Sequence, residues 1–135
     1  TKTEFERREA QGDFLEWAVY GGNYYGTLQS EIMPAIEAGK TVVCEVEVQG
    51  ARQIQKLLSK EKLKILFISA GSWEQLEKRI RARAPITEVE LLARRKRYED
   101  ETTFMAEADV VINNPDGGLE QAKKDFVEAI KKLAE

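Results

Sequence analysis

Residues 13–27 read DFLEWAVYGGNYYGT, and their reading decides both fold and chemistry. Phe14 to Tyr20 is an apolar run of strand composition that carries one carboxylate, Glu16. Gly21 and Gly22 supply a turn, and Tyr24 to Thr27 returns as a second strand. A carboxylate held on such a hairpin accepts hydrogen bonds from both N1–H and the 2-amino group of guanine. Adenine has an acceptor at N1 and no 2-amino group, so the same carboxylate rejects it. The hydroxyls of Tyr25 and Thr27 suit a phosphate or the purine O6. A β-hairpin with an ordinary polar face explains the local pattern as well, so the surrounding sequence must decide.

Upstream, Thr3 and Glu6 have capping-box spacing and Gly12 is a stop, which predicts a helix over Glu4–Gln11. Downstream, Glu31–Ala38 is expected to be a helix with Ile32 and Ile36 inward and Pro34 near its start. Thr41–Val48 alternates and predicts a strand. Val42, Cys44, Val46 and Val48 share one face; Val43, Glu45 and Glu47 share the other. Cys44 would then be a buried thiol. A helix over Ala51–Leu58 and a buried strand over Leu63–Ser69 follow. Ser72 and Gln75 cap the next helix, which Pro85 breaks. Thr87 and Glu90 start a long helix to about Ala108. Val110–Asn113 reads as a strand and Asn114–Gly118 as a turn. Leu119, Ala122, Phe126, Ile130 and Leu133 lie at helical spacing. Strand and helix alternate, so the predicted class is α/β with a parallel sheet.

The hairpin closely resembles the GMP-binding segment of guanylate kinases, Phe-(Leu/Ile)-Glu-Trp-Ala followed by Gly-Asn-x-Tyr-Gly-(Thr/Ser). Three further segments resemble the family in the same order: Gly39-Lys40-Thr41 with its apolar run and Gln49-Gly50, Ser72 to Arg83, and Asp109 to Asn114. The resemblance implies a P-loop-kinase-like parallel sheet flanked by helices, with a small GMP-binding β lobe at about 1–38 and a helical lid at about 79–97. It treats 1–135 as one domain. It also implies phosphoryl transfer from ATP to GMP, with Mg²⁺ accompanying ATP. Glu16, Tyr25, Thr27 and Glu47 match GMP-binding positions. Arg79, Arg83 and Arg94 match arginines that contact phosphates, and Asn114 matches an Asn near the adenine. Glu45 matches a carboxylate that reaches Mg²⁺ through water. The family has Asp at 45 and 47. One extra methylene is about a bond length, and a displacement of that size can cost on the order of 10²-fold in rate.

The family's phosphate loop, Gly-x-x-x-x-Gly-Lys-(Ser/Thr), is not found in these residues. Gly39-Lys40-Thr41 is a decoy: Pro34 stands where the first glycine belongs, and the segment ends a helix instead of opening one. The chain is therefore expected to be the C-terminal two-thirds of such a kinase. An N-terminal segment supplied in trans, or self-association, is the expected consequence. The alternative is a non-catalytic guanylate-kinase-like module that binds GMP or a phosphorylated or acidic protein.

Lys78, Arg79, Arg81, Arg83, Arg94, Arg95, Lys96 and Arg97 cluster in a chain of net charge −3. A solvated basic face accounts for most of them. No aromatics interleave with the cluster as a platform for RNA bases requires, so nucleic acid is not an expected partner. Asn114 reads equally as a turn former before Pro115, and Glu45 and Glu47 as a solvated sheet face. Trp17 and Trp73 read as packing residues. The composition, 42% hydrophobic and 33% charged, suits a cytoplasmic globular protein without a membrane segment. There is no histidine, which excludes His bases, His metal ligands and Ser-His triads.

Overall fold

The computed structural model describes residues 1–20 and 22–134, Tyr20 by its backbone alone. Gly21 of the predicted turn lies outside the described residues. The chain divides into two compact units, Thr1–Leu63 and Lys64–Glu135.

The first unit contains α1 (Lys2–Ala10), β1 (Phe14–Tyr20), β2 (Asn23–Leu28), α2 (Gln29–Glu37) and α3 (Val48–Leu57). Helix α1 starts earlier than expected. Thr1 and Glu4 have the same spacing as Thr3 and Glu6, and the Thr1 hydroxyl accepts from Glu4 N–H at 3.3 Å. Gly12 ends it as expected, at φ +73°. Its N–H donates to Glu9 O, and Asp13 N–H reaches back to Arg8 O at 3.0 Å.

β1 and β2 pair antiparallel, with Glu16 opposite Thr27 and Ala18 opposite Tyr25. The register shifts between Phe14 and Glu16. That bulge accommodates Leu15, which is 3% exposed, while Glu16 still faces Thr27. Helix α1 braces the hairpin through Phe5, whose ring stacks on Phe14 at 4.4 Å and meets Tyr24 at 5.0 Å and the edge of Trp17 at 5.9 Å. At Gly26 a Cβ would lie 2.8 Å from the Phe14 ring, so a side chain there would displace it. From α3, the Gln53 amide donates to Trp17 O at 2.7 Å and accepts from Trp17 N–H at 3.0 Å. This amide stands in for a third strand at Trp17.

The expected strand Thr41–Val48 is not present. Residues 41–47 are irregular, and Val48 already opens α3. Alternation supplies a strand-like face, but a strand exists only where a neighbour satisfies its N–H and C=O groups. No ladder partner for 41–47 occurs among the described residues. Cys44 is accordingly exposed and not buried. Pro34 sits well inside α2, because that helix begins at Gln29.

The second unit contains β3 (Leu66–Ser69), α4 (Trp73–Arg83), α5 (Glu88–Phe104), a 3₁₀ turn (Met105–Glu107), β4 (Val110–Asn113) and α6 (Leu119–Leu133). β3 and β4 pair in parallel from Leu66–Val110 to Ser69–Asn113. Asp109 starts the ladder: its carboxylate accepts from Ile65 N–H at 2.8 Å, and its N–H donates to Ile65 O at 2.9 Å. Helix α6 covers one face, burying Ile112, Ala122 and Ala129 with Leu66, Val110 and Phe126. Ser72 caps α4, accepting from Gln75 N–H. Thr87 and Glu90 form the expected reciprocal box at α5. β3 is shorter than expected, and α5 yields to the 3₁₀ turn after Phe104, which is 2% exposed. No helix among the described residues is long and apolar enough to cross a membrane.

Candidate functional site

In the first unit, cross-strand pairing puts Glu16, Tyr25 and Thr27 on one face of the hairpin. Glu16 Oε1 accepts from the Thr27 hydroxyl at 2.7 Å. The other oxygen points into the space beside Gly50, where a Cβ would lie 2.7 Å from Glu16 Oε2. Gly50 is the third residue of α3. The carboxylate therefore faces the first turn of a helix, where N–H groups lack intrahelical partners and the dipole favours negative charge. Glu47 is the N-cap residue of that turn, with no side-chain capping bond. Tyr25 stands more than half exposed on the same hairpin face. The Cys44 thiol is pushed up from its ordinary pKa by partial desolvation and by the charge of Glu16.

Glu45 is exposed on the irregular 41–47 segment, so the expected placement of Glu45 and Glu47 on a strand does not hold. No cluster of three metal-ligating side chains occurs among the described residues. A magnesium ion carried by nucleotide phosphates and water needs only one or two carboxylates, so the donors present fit a water-mediated contact.

In the second unit, Arg79 and Asn114 come together. Arg79 Nε donates to Asp116 Oδ1 at 2.7 Å, and a terminal nitrogen donates to Asn114 O at 2.7 Å. The Arg79 hydrogen bond holds the Asp116 carboxyl below its ordinary pKa. Asn114 N–H donates to Ser69 O, so this residue fixes the end of the ladder through its backbone. Much of the basic cluster is neutralised locally. Lys78 and Arg79 face Asp116, Arg81 bridges Glu77 and Glu88, and Arg95 meets Glu99. Arg97 is engaged as well. Among the described residues, Arg83, Arg94 and Lys96 form no hydrogen bond or ion pair and all three are exposed, although the charge of Arg94, after the Thr87 hydrogen bonds, helps hold the Glu90 carboxyl below its ordinary pKa. Arg83 and Arg94 are two of the three arginines that the sequence motif singles out; the third, Arg79, is the one that faces Asp116.

Gly50, Gln53 and Asp116 were not singled out for these roles by sequence. Gly50 falls inside a quoted motif, but its role, leaving room for a carboxylate from another element, depends on tertiary approach. Gln53 and Asp116 act across 36 and 37 residues of chain, a separation no local pattern reports.

The sequence profile described as guanylate kinase matches residues 1–133. The chain belongs to the guanylate kinase family. It is 43% identical over 116 residues to the guanylate kinase of Trichormus variabilis, covering 86% of this chain and 57% of that protein. It is 38% identical over 132 residues to the guanylate kinase of Fusobacterium nucleatum, covering 97% of this chain and 69% of that one. The chain thus spans between about half and about two-thirds of these relatives. A crystal structure of guanylate kinase from Anaplasma phagocytophilum superposes with a TM-score of 0.70 at 23% identity, over 98% of this chain and 63% of that one. That likeness shows the α/β fold expected of a guanylate kinase.

Proposed function

We propose that this chain supplies the GMP-reading hairpin and the arginine-bearing helices of a guanylate kinase, which transfers a phosphoryl group from ATP to GMP. The observation that carries the reading is the Glu16 carboxylate, held by the Thr27 hydroxyl and given room by Gly50. An acceptor fixed in this way suits the N1–H and 2-amino edge of guanine and leaves adenine unsatisfied. Tyr25 and Glu47 complete the GMP contacts.

Phosphoryl transfer needs little from a general base, because the attacking phosphate oxygen is already anionic. It needs alignment and cations where charge builds. Arg83 and Arg94 meet that need, being planar, permanently charged and without a hydrogen bond or ion pair among the described residues. Arg79 is already committed to Asp116, so its part is to hold the Asn114 turn, beside which Asn114 would meet the adenine. Magnesium, when bound with ATP, would neutralise phosphate charge, and Glu45 would orient its water. The location we propose for this reaction is the cytoplasm.

A second reading is a non-catalytic module that binds GMP through the same hairpin. The absence of a Gly-x-x-x-x-Gly-Lys-(Ser/Thr) pattern from the 135 residues favours it for this chain acting alone. A coupled ADP-release assay separates the two. We expect negligible turnover by these residues alone, and GMP-dependent turnover in a form that carries the loop. In that form Arg94→Ala should lower kcat by about 10²-fold or more. Unchanged kcat in that variant would remove Arg94 from the mechanism.

A further inference from the structure

Helices α4 and α5 are joined by residues 84–87 and tied at both ends. Near the tip, Arg81 bridges Glu88 at 3.0 Å while also holding Glu77 at 2.8 Å. At the base, the Trp73 and Tyr98 rings meet at 5.7 Å, with an interplanar angle of 56°. The Tyr98 hydroxyl donates to Gly71 O at 2.9 Å, just ahead of the α4 cap. Arg95 lies over the Trp73 ring at 5.9 Å and is held from behind by Glu99. Trp73 is 9% exposed and Leu91 is 6% exposed. Leu91, Arg95 and Tyr98 follow helical spacing, so one stripe of α5 faces α4. Arg94 lies one turn from both Leu91 and Tyr98, at the edge of that stripe and about 100° round the helix from Arg95.

We infer that Trp73 and Tyr98 are positioning residues: they lock the base of α4 to α5, so that Arg83 and Arg94 are presented to a polyphosphate on one rigid helical pair. The inference rests on the reading of these arginines as polyphosphate ligands. Without the base tie the pair would be held by the four-residue connection, the packing of Leu91 and the Arg81–Glu88 bridge. Both partners of that bridge are largely exposed, so it restrains the pair weakly. A pivoting pair must be ordered by each ligand it binds, which lowers affinity.

The test is calorimetric titration of the 135-residue chain with inorganic tripolyphosphate at low salt. The variants are Tyr98→Leu, Tyr98→Phe and Trp73→Phe, each with and without Arg94→Ala. Circular dichroism checks the fold. Tyr98→Leu should weaken tripolyphosphate binding on the order of tenfold, and Trp73→Phe, which keeps a ring, should largely retain it. In the Arg94→Ala background the Tyr98 substitution should add little, because Tyr98 acts through that arginine. Should Tyr98→Leu fail to fold, Tyr98→Phe, which loses only the bond to Gly71, carries the same comparison. Hydrogen exchange across 73–83 and 88–104 should quicken in the variant with the weaker binding. Equal losses in both backgrounds, or no loss at all, would overturn the positioning role. Failure of the parent chain to bind tripolyphosphate through Arg83 and Arg94 would remove the polyphosphate reading itself, and the positioning role with it.

Discussion

The hairpin of the first unit and the helical pair of the second keep their charge in opposite ways. Glu16 is committed before any ligand arrives: Thr27 holds one oxygen and Gly50 leaves room for the other. Arg83 and Arg94 have no hydrogen bond or ion pair among the described residues; Arg94 feels Glu90 only through space. On the proposed reading, the difference follows from what each group would recognise. A base edge is small and rigid, so its reader gains from being fixed in advance. A polyphosphate carries several charges, and arginines already paired with carboxylates would lose that pairing on binding it. On that reading, specificity is fixed on the hairpin and charge is held in reserve on the helices.

The comparison breaks first if guanine recognition depends on the core of the second unit. Phe104→Ala removes a side chain that is 2% exposed and should cost roughly 3–5 kcal/mol of that unit's stability. Thermal unfolding followed by hydrogen exchange should show the loss in residues 64–134, while GMP affinity at low temperature stays within a factor of about 3. Next comes Glu16→Gln. It replaces an acceptor oxygen with a donor facing the purine's own N–H and should cost roughly 2–4 kcal/mol of GMP binding. AMP binding, measured by the same calorimetry, should not weaken comparably.

Gly50→Ala sharpens the point. The closest approach of the new Cβ is to the far end of Glu16, which can swing away, with Val46 Cβ next at 3.3 Å. Alanine also favours α3 by about 1 kcal/mol, so melting should hold or rise. GMP affinity should nonetheless fall by about 1.5 kcal/mol, or tenfold, because the carboxylate is displaced. A variant with lower stability and unchanged affinity would show that Gly50 is there for packing.

The smallest effect is expected at Asp116. Its pKa in the folded chain lies below the ordinary 3.8, held there chiefly by Arg79. The folded state therefore prefers the carboxylate. The stabilisation is present above the ordinary value and is lost as pH falls through the lowered one. Asp116→Asn should melt slightly earlier at pH 7, and the gap should close in acid. A gap that does not shrink as the pH falls below the ordinary carboxyl value would assign the effect to the turn and not to the ion pair.

Much of this was legible in the sequence. The hairpin, the stop at Gly12, the cap at Ser72, the reciprocal box at Thr87 and Glu90 and the strand Val110–Asn113 are all found where local signals put them. Each depends on groups close together in the chain. Thr41–Val48 failed because alternation reports a preference, whereas a ladder partner decides the outcome; Cys44 followed it to the surface. For the candidate site, the motif named Glu16, Thr27, Arg83 and Arg94. It did not show that Arg79 is spent on Asp116, nor why residue 50 must be small. Those facts arise from elements far apart in sequence.

The central claim, that the hairpin reads guanine through Glu16, is tested most directly by titrating the unmodified chain with GMP and with AMP in one calorimeter. The account predicts measurable binding of GMP and binding of AMP weaker by about 2 kcal/mol or more, since the adenine edge leaves the carboxylate unpaired. Equal affinity for the two nucleotides would contradict it.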